Sequence, residues 1–175
     1  MHTKPLIMVV EDNKQTQETL KRDLEYLGMD VWQAFSAEDA WSALEAADKI
    51  PHVLILDFHL PGEDGPGFYR RLAVSPRFRE IPVIPFTALI GQQDATSSLT
   101  LASYISSRDA SAPHTQPIVS KKGREDIYKT PSELVLAIGH ALRQQSFALS
   151  DEMRKTMKDI VSSLVDELDV PDEVE

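Results

Sequence analysis

Val53-Leu54-Ile55-Leu56-Asp57-Phe58-His59-Leu60-Pro61-Gly62-Glu63-Asp64-Gly65 opens on four apolar residues in a row and turns polar at an aspartate. An apolar run with no polar alternation is the pattern of a parallel strand covered on both faces. Val53 to Leu56 therefore reads as a buried strand, with Asp57 at its carboxyl end. Upstream, Leu6-Ile7-Met8-Val9-Val10 is a second such run. Between them, Asn13 to Leu27 carries Thr16, Leu20, Leu24 and Leu27 at helical spacing before Gly28, the residue type that commonly stops a helix. Asp30 to Ala34 reads as a strand, and Ala37 to Ala47 as a helix with Ala40, Trp41, Leu44 and Ala47 facing inward. Downstream, Pro66 to Val74 reads as a short helix and Pro82 to Phe86 as another apolar strand. Strand-helix alternation forces parallel pairing through right-handed crossovers. The expected fold is a doubly wound α/β parallel sheet.

Past Thr87 the pattern weakens. Residues 91–117 are rich in Ser, Thr and Gln, with one helix expected around Asp94 to Ser107. Pro117 to Ser120 is the fifth-strand candidate. Thr130-Pro131-Ser132-Glu133 reads as a helix start, with Thr130 as N-cap, Pro131 at the first helical position and Glu133 completing a capping box. Leu134, Ala137, Ile138, Ala141 and Leu142 then share one face.

With 175 residues, 42% apolar and 26% charged, the chain has the composition of one globular domain with some chain left over. The expected division is a domain over 1–149, with 91–117 enlarged, and an appendage over 150–175. The absence of cysteine excludes thiolate metal sites and disulfides and fits a reducing cytoplasm. No apolar run approaches the roughly 18 residues of a membrane span, and no secretory signal is expected. A net charge of −10 argues against nucleic-acid binding, which needs clustered Lys and Arg. From Ser150 onward, nine carboxylates face only Arg154, Lys155 and Lys158, so the tail is the acidic part.

In an open parallel sheet, ligands sit beyond the carboxyl ends of the strands. Those ends hold Glu11-Asp12, Asp57, Thr87 and Lys121-Lys122. Taken singly, each has a plainer reading: Glu-Asp after a strand is often only a polar helix start favoured by the helix dipole. Together at four successive strand ends they point to a site. Converging carboxylates repel one another unless a hard cation neutralises them, and Mg²⁺ suits oxygen ligands of this kind.

These residues resemble the receiver domain of two-component response regulators, over about residues 5 to 147. The stretch Leu54 to Gly65 is similar to the phosphoacceptor strand and loop of that family. Val9-Val10-Glu11-Asp12-Asn13 resembles its acidic pair, and Pro82-Val83-Ile84-Pro85-Phe86-Thr87-Ala88 its strand ending in a switch hydroxyl. The resemblance implies a flavodoxin-like sheet of order 2-1-3-4-5 with an added C-terminal helix. It implies Asp57 as phosphoacceptor, and Mg²⁺ held by Asp12, Asp57, Glu11 through water, and the His59 backbone carbonyl. Thr87 and Lys121, with Lys122 as the alternative, would contact phosphoryl oxygens. Departures are visible: Thr87 to Lys121 is about ten residues longer than the family spacing, the lysine is followed by Lys122-Gly123 where the family usually has proline, and Ile118 stands where the family often has Tyr or Phe. Pro85 inside a central strand suggests a bulge.

The implied function is a cytoplasmic, single-domain response regulator, not an enzyme beyond slow self-dephosphorylation. It would accept a phosphoryl group from a histidine kinase or phosphotransfer protein and signal to a downstream protein. No output domain is expected after Leu149, since 26 residues cannot build one. The alternative is a phosphorylation-independent interaction module on the same fold. A Mg²⁺-dependent phosphohydrolase ranks last, because His59 occupies the place where such enzymes tend to carry a second Asp. Trp32 and Trp41 read as packing residues, and His52, His114 and His140 as surface residues. In the tail, Met153, Met157, Ile160, Val161, Leu164 and Leu168 form an amphipathic stripe. It is expected either to pack back on the domain or to form a homodimer through residues 150–168, with Asp169 to Glu175 frayed.

Overall fold

The computed structural model describes residues 4–88, 118–121 and 130–168. In chain order they form β1 (Leu6–Val10), α1 (Lys14–Tyr26), β2 (Asp30–Ala34), α2 (Ala37–Ala46), β3 (Val53–Leu56), α3 (Gly65–Val74), β4 (Val83–Thr87), β5 (Val119–Ser120), α4 (Ser132–Gln144) and α5 (Asp151–Leu168). The strands make one parallel sheet of order β2-β1-β3-β4-β5. This is the doubly wound order read from the apolar runs and the resemblance. The helix expected around Asp94 to Ser107 and the end of the tail lie outside the described residues.

Two apolar layers sandwich the sheet. On one face Ile7, Val9, Ile55 and Phe86 pack with Leu20 and Leu24 of α1 and Leu134, Ile138 and Leu142 of α4. On the other, Met8, Val10, Leu54 and Leu56 pack with Leu44 of α2 and Phe68 and Leu72 of α3. Every residue of β1 and β3 is buried, as the unbroken apolar runs require. Trp32 and Trp41 pack half-buried against the second layer, and Trp41 meets Phe78 edge-on at 5.4 Å.

Three local expectations are corrected and one left open is narrowed. Pro85 causes no bulge: Leu54, Ile55 and Leu56 pair in unbroken register with Val83, Ile84 and Pro85. Backbone groups of a parallel strand alternate between its two neighbours. Leu54 N–H bonds to the Pro82 carbonyl and Lys121 N–H to the Thr87 carbonyl, so the Pro85 nitrogen faces the β5 side, where pairing starts only at Phe86 with Val119. Thr130 is not the cap of α4. That helix begins after Pro131 with no side-chain cap, and the Thr130 N–H donates instead to Asp23 Oδ2 of α1 at 2.7 Å. His52 is more than a surface residue, since its Nδ1 accepts from Leu6 N–H at 2.9 Å and its ring meets Phe147 at 4.9 Å. The tail stripe is covered at its start within the chain: Leu149, Met153 and Met157 are buried in the first layer, with Ile160 packed against it.

Candidate functional site

The ends of β1 and β3 deliver three carboxylates by register. Val10 pairs with Leu56, so Glu11 and Asp57 leave adjacent strands at the same level, and the Asp57 N–H donates to the Val10 carbonyl at 2.9 Å. One carboxylate oxygen each from Glu11, Asp12 and Asp57 lies within 4.8 Å of the others. Glu11 and Asp57 are buried and Asp12 is exposed. Lys121, just past β5, brings its ammonium between them: Nζ donates to Asp57 Oδ2 at 2.8 Å and also to Glu11 Oε2. Its Nζ stands 5.1 Å from the centre of the Phe86 ring, a cation-π contact. Asp57 Oδ1 accepts from the His59 N–H at 3.1 Å, while the His59 side chain is exposed. Thr87 ends β4, wholly buried, and its carbonyl accepts from Lys121 N–H at 2.9 Å. Lys122 lies outside the described residues.

One ammonium does not balance three carboxylates. Burial pushes the Glu11 carboxyl up to about 7; Lys121 opposes that shift and Asp57 adds to it. A buried carboxyl held near neutrality, beside two more within reach of one atom, fits a hard oxygen-seeking divalent cation such as Mg²⁺. Glu11, Asp12 and Asp57 are the residues that would hold it.

The loop after Asp57 is fastened from below. Gly65 starts α3 so close to β3 that a Cβ there would lie 2.3 Å from the Asp57 carbonyl oxygen and 2.6 Å from Phe58 Cα. Its N–H donates to the Phe58 carbonyl at 3.1 Å. Asp64 caps the helix by accepting from Gly67 N–H at 2.7 Å. Glu38 of α2 accepts from Glu63 N–H at 3.2 Å, and Arg71 pairs with Glu63 at 2.6 Å while stacking 4.4 Å from the Trp41 ring centre.

Gln17 was not singled out in the sequence, and it anchors the acidic loop. It is wholly buried, and its Nε2 donates to the carbonyls of Val9, Glu11 and Ala34 at 3.0, 3.1 and 2.7 Å. Glu11 N–H already bonds to the Ala34 carbonyl, but β2 ends there, so no further rung can satisfy the Glu11 carbonyl. The Gln17 amide takes that place, while its Oε1 has no hydrogen-bond partner among the described residues. A legible signal existed: Gln17, Leu20 and Leu24 share the buried face of α1, and a polar residue in an apolar stripe must answer to some polar group. Gln17→Met, similar in shape but without donors, should cost about 1–3 kcal/mol for the orphaned carbonyl, read as a lower urea midpoint.

Comparison with known proteins agrees with this geometry. The family model for the response regulator receiver domain matches residues 7–104. Chemotaxis protein CheY1 of Helicobacter pylori is 33% identical over 95 residues, covering 53% of this chain and 75% of that protein. The phosphate regulon transcriptional regulatory protein PhoB of Rhizobium meliloti is 36% identical over 84 residues, covering 48% of this chain and only 36% of that protein. Among solved structures, the signal receiver domain of an HD domain-containing protein from Pseudomonas fluorescens superposes with a TM-score of 0.62, at 23% identity over 82% of this chain and 99% of that one. The receiver domain of a signal transduction histidine kinase from Syntrophus aciditrophicus gives 0.59, at 24% identity over 81% and 90%. At these identities the structural likeness is one of fold. Sheet order, matched residues and acidic strand ends agree, and the chain belongs to the response regulator receiver domain family.

Proposed function

We propose that Asp57 is the phosphoacceptor of a His-to-Asp relay in the cytoplasm. An Asp57 carboxylate oxygen forms the new bond to phosphorus as the bond to the donor imidazole of a histidine kinase or phosphotransfer protein breaks. The observation that carries this reading is the meeting of Glu11, Asp12 and Asp57 within 4.8 Å with the Lys121 ammonium bonded between two of them. Phosphoryl transfer asks for in-line positioning and neutralised equatorial charge, and this set of groups offers both. Asp12, Asp57, Glu11 through water and the His59 carbonyl would hold Mg²⁺, which would supply part of that neutralisation. On phosphorylation, Lys121 turns from Asp57 to a phosphoryl oxygen and the Thr87 hydroxyl bonds another. The acyl phosphate is lost by slow self-dephosphorylation, and the signal passes by protein contact to a downstream protein.

Incubation with Mg²⁺ and acetyl phosphate, followed by intact mass, tests the reading. One increment of about 80 Da should appear with Mg²⁺ and be absent with EDTA. No increment under either condition would favour the phosphorylation-independent interaction module.

Lys121 also competes with a cation for the same carboxylates. Lys121→Ala should therefore bind Mg²⁺ more tightly yet accept phosphoryl groups about 10- to 100-fold more slowly, the loss of a charge-assisted bond worth about 1.5–3 kcal/mol. Lys122→Ala should change neither quantity. The reverse pattern would transfer the role to Lys122.

The raised Glu11 pKa gives Mg²⁺ binding a pH dependence. Below about 7 the folded, metal-free protein holds a proton that the cation must displace. Apparent affinity should climb about tenfold per pH unit and flatten above about 7. Linkage gives the stability sign. This carboxyl favours the metal-free fold fully below its ordinary 4.5, and that contribution is lost as pH rises through about 7. Isothermal titration of wild type and Glu11→Gln between pH 5.5 and 8 checks it, because the variant should lose the slope.

A further inference from the structure

α4 and α5, joined by residues 145–150, lie side by side with Met157 against Gly139. A Cβ at Gly139 would come within 2.6 Å of Met157 Cε, so the glycine lets the second helix in. Their contact leaves a groove of about 240 Å³ whose floor is Val135, Leu136, Leu149 and Met157. Its rim carries Arg143, Arg154 and Lys158, and among the described residues no carboxylate lines it. All three cations are exposed. On a chain of net charge −10, an apolar groove rimmed by three cations calls for an acidic, apolar occupant.

The chain carries a segment of that chemistry. α5 is polarised along its length: in its first half Arg154, Lys155 and Lys158 outnumber Asp151 and Glu152, with Arg154 paired to Asp151 at 3.3 Å, whereas Asp159 to Leu168 holds Asp159, Asp166 and Glu167 with no lysine or arginine. The same stretch contributes Val161, Leu164 and Leu168. From Met157 to the end of α5 is longer than from Gly139 back to the start of α4, so the acidic end outruns its neighbour.

Going beyond the relay reading, we propose that this groove is the dimer interface of the protein, filled by the acidic half of α5 from a second copy. The two α5 helices run antiparallel across a two-fold axis. Antiparallel pairing sets each cationic half against an acidic half and opposes the two helix dipoles. The contact is closed and self-complementary, as two-fold dimers require. A parallel pairing would set like charges together, which costs association energy.

Charge exchange tests this on the full chain by sedimentation velocity. Wild type should dimerise, with the dissociation constant rising at least tenfold between low and high salt. Arg154→Glu with Lys158→Glu places acid on both sides of each contact, and Asp166→Lys with Glu167→Lys places cations on both sides. Each variant alone should be monomeric. Mixed one to one, they should form a heterodimer, because both contacts of the pair then regain opposite charges. Retained thermal midpoints show that the variants are folded, and Arg143→Glu gives a third reading from α4, weakening the wild-type dimer. A monomeric wild-type chain, whether because its own tail or another partner fills the groove, would overturn the proposal. So would a dimer indifferent to these changes.

Discussion

Asp57→Asn should abolish the phosphoryl adduct completely and at the same time raise the thermal stability of the metal-free protein. The first effect follows from the loss of the proposed carboxylate nucleophile. The second follows from the charge balance of the site, where Glu11, Asp12 and Asp57 meet and Lys121 is bonded to Glu11 and Asp57 together. Asparagine keeps the shape of the side chain, and its amide oxygen can still accept from the His59 N–H that now bonds Asp57 Oδ1. With one negative charge gone, two carboxylates rather than three share the Lys121 ammonium, and Asp57 no longer pushes the Glu11 carboxyl up. Relief of one close carboxylate repulsion is worth about 1–3 kcal/mol. Differential scanning in EDTA should show the midpoint rise, and the rise should shrink with Mg²⁺, which stabilises the wild type by binding its folded form. An adduct retained by the variant would move the phosphoacceptor elsewhere.

Gly65→Ala should be the most damaging single-methyl change in the described residues. The added carbon would lie 2.3 Å from the Asp57 carbonyl oxygen, 2.6 Å from Phe58 Cα and 3.1 Å from the Asp57 carbonyl carbon. All three are backbone atoms and cannot swing aside. α3 must then retreat from the end of β3, breaking the Gly65 N–H bond to the Phe58 carbonyl and shifting the strand end that carries Asp57. Overpacking of this kind costs about 3 kcal/mol or more. Gly67→Ala is the control, since its Cβ would meet only the side chains of Asp64 and Glu63, at 2.9 Å and 3.3 Å. Urea unfolding should show a large loss for Gly65→Ala and a small change for Gly67→Ala. Equal effects would reduce Gly65 to an ordinary helix-start glycine.

What was legible in the chain is what short-range periodicity encodes. Unbroken apolar runs identify β1, β3 and β4, because only a strand buried on both faces needs them. The 3.6-residue stripes identify α1, α2 and α4. Acidic and hydroxyl residues stood out because they interrupt those runs at the same end of successive strands. The starts of the elements were less certain, as Thr130 shows. Its capping pattern is sound by local chemistry, yet Asp23, far off in sequence, takes its backbone N–H.

By itself, then, the sequence determined the element types, the parallel α/β class and the residue types that meet at the carboxyl edge. Each follows from chemistry within a few neighbours along the chain. Only the tertiary structure brought the Lys121 ammonium to Glu11 and Asp57, used Gln17 to close the last rung between β1 and β2, turned the Pro85 nitrogen away from β3 and laid Met153 and Met157 of α5 into the core. Those outcomes depend on register between segments distant in sequence. Register is set by the simultaneous packing of both faces of the sheet, and no local pattern carries that information.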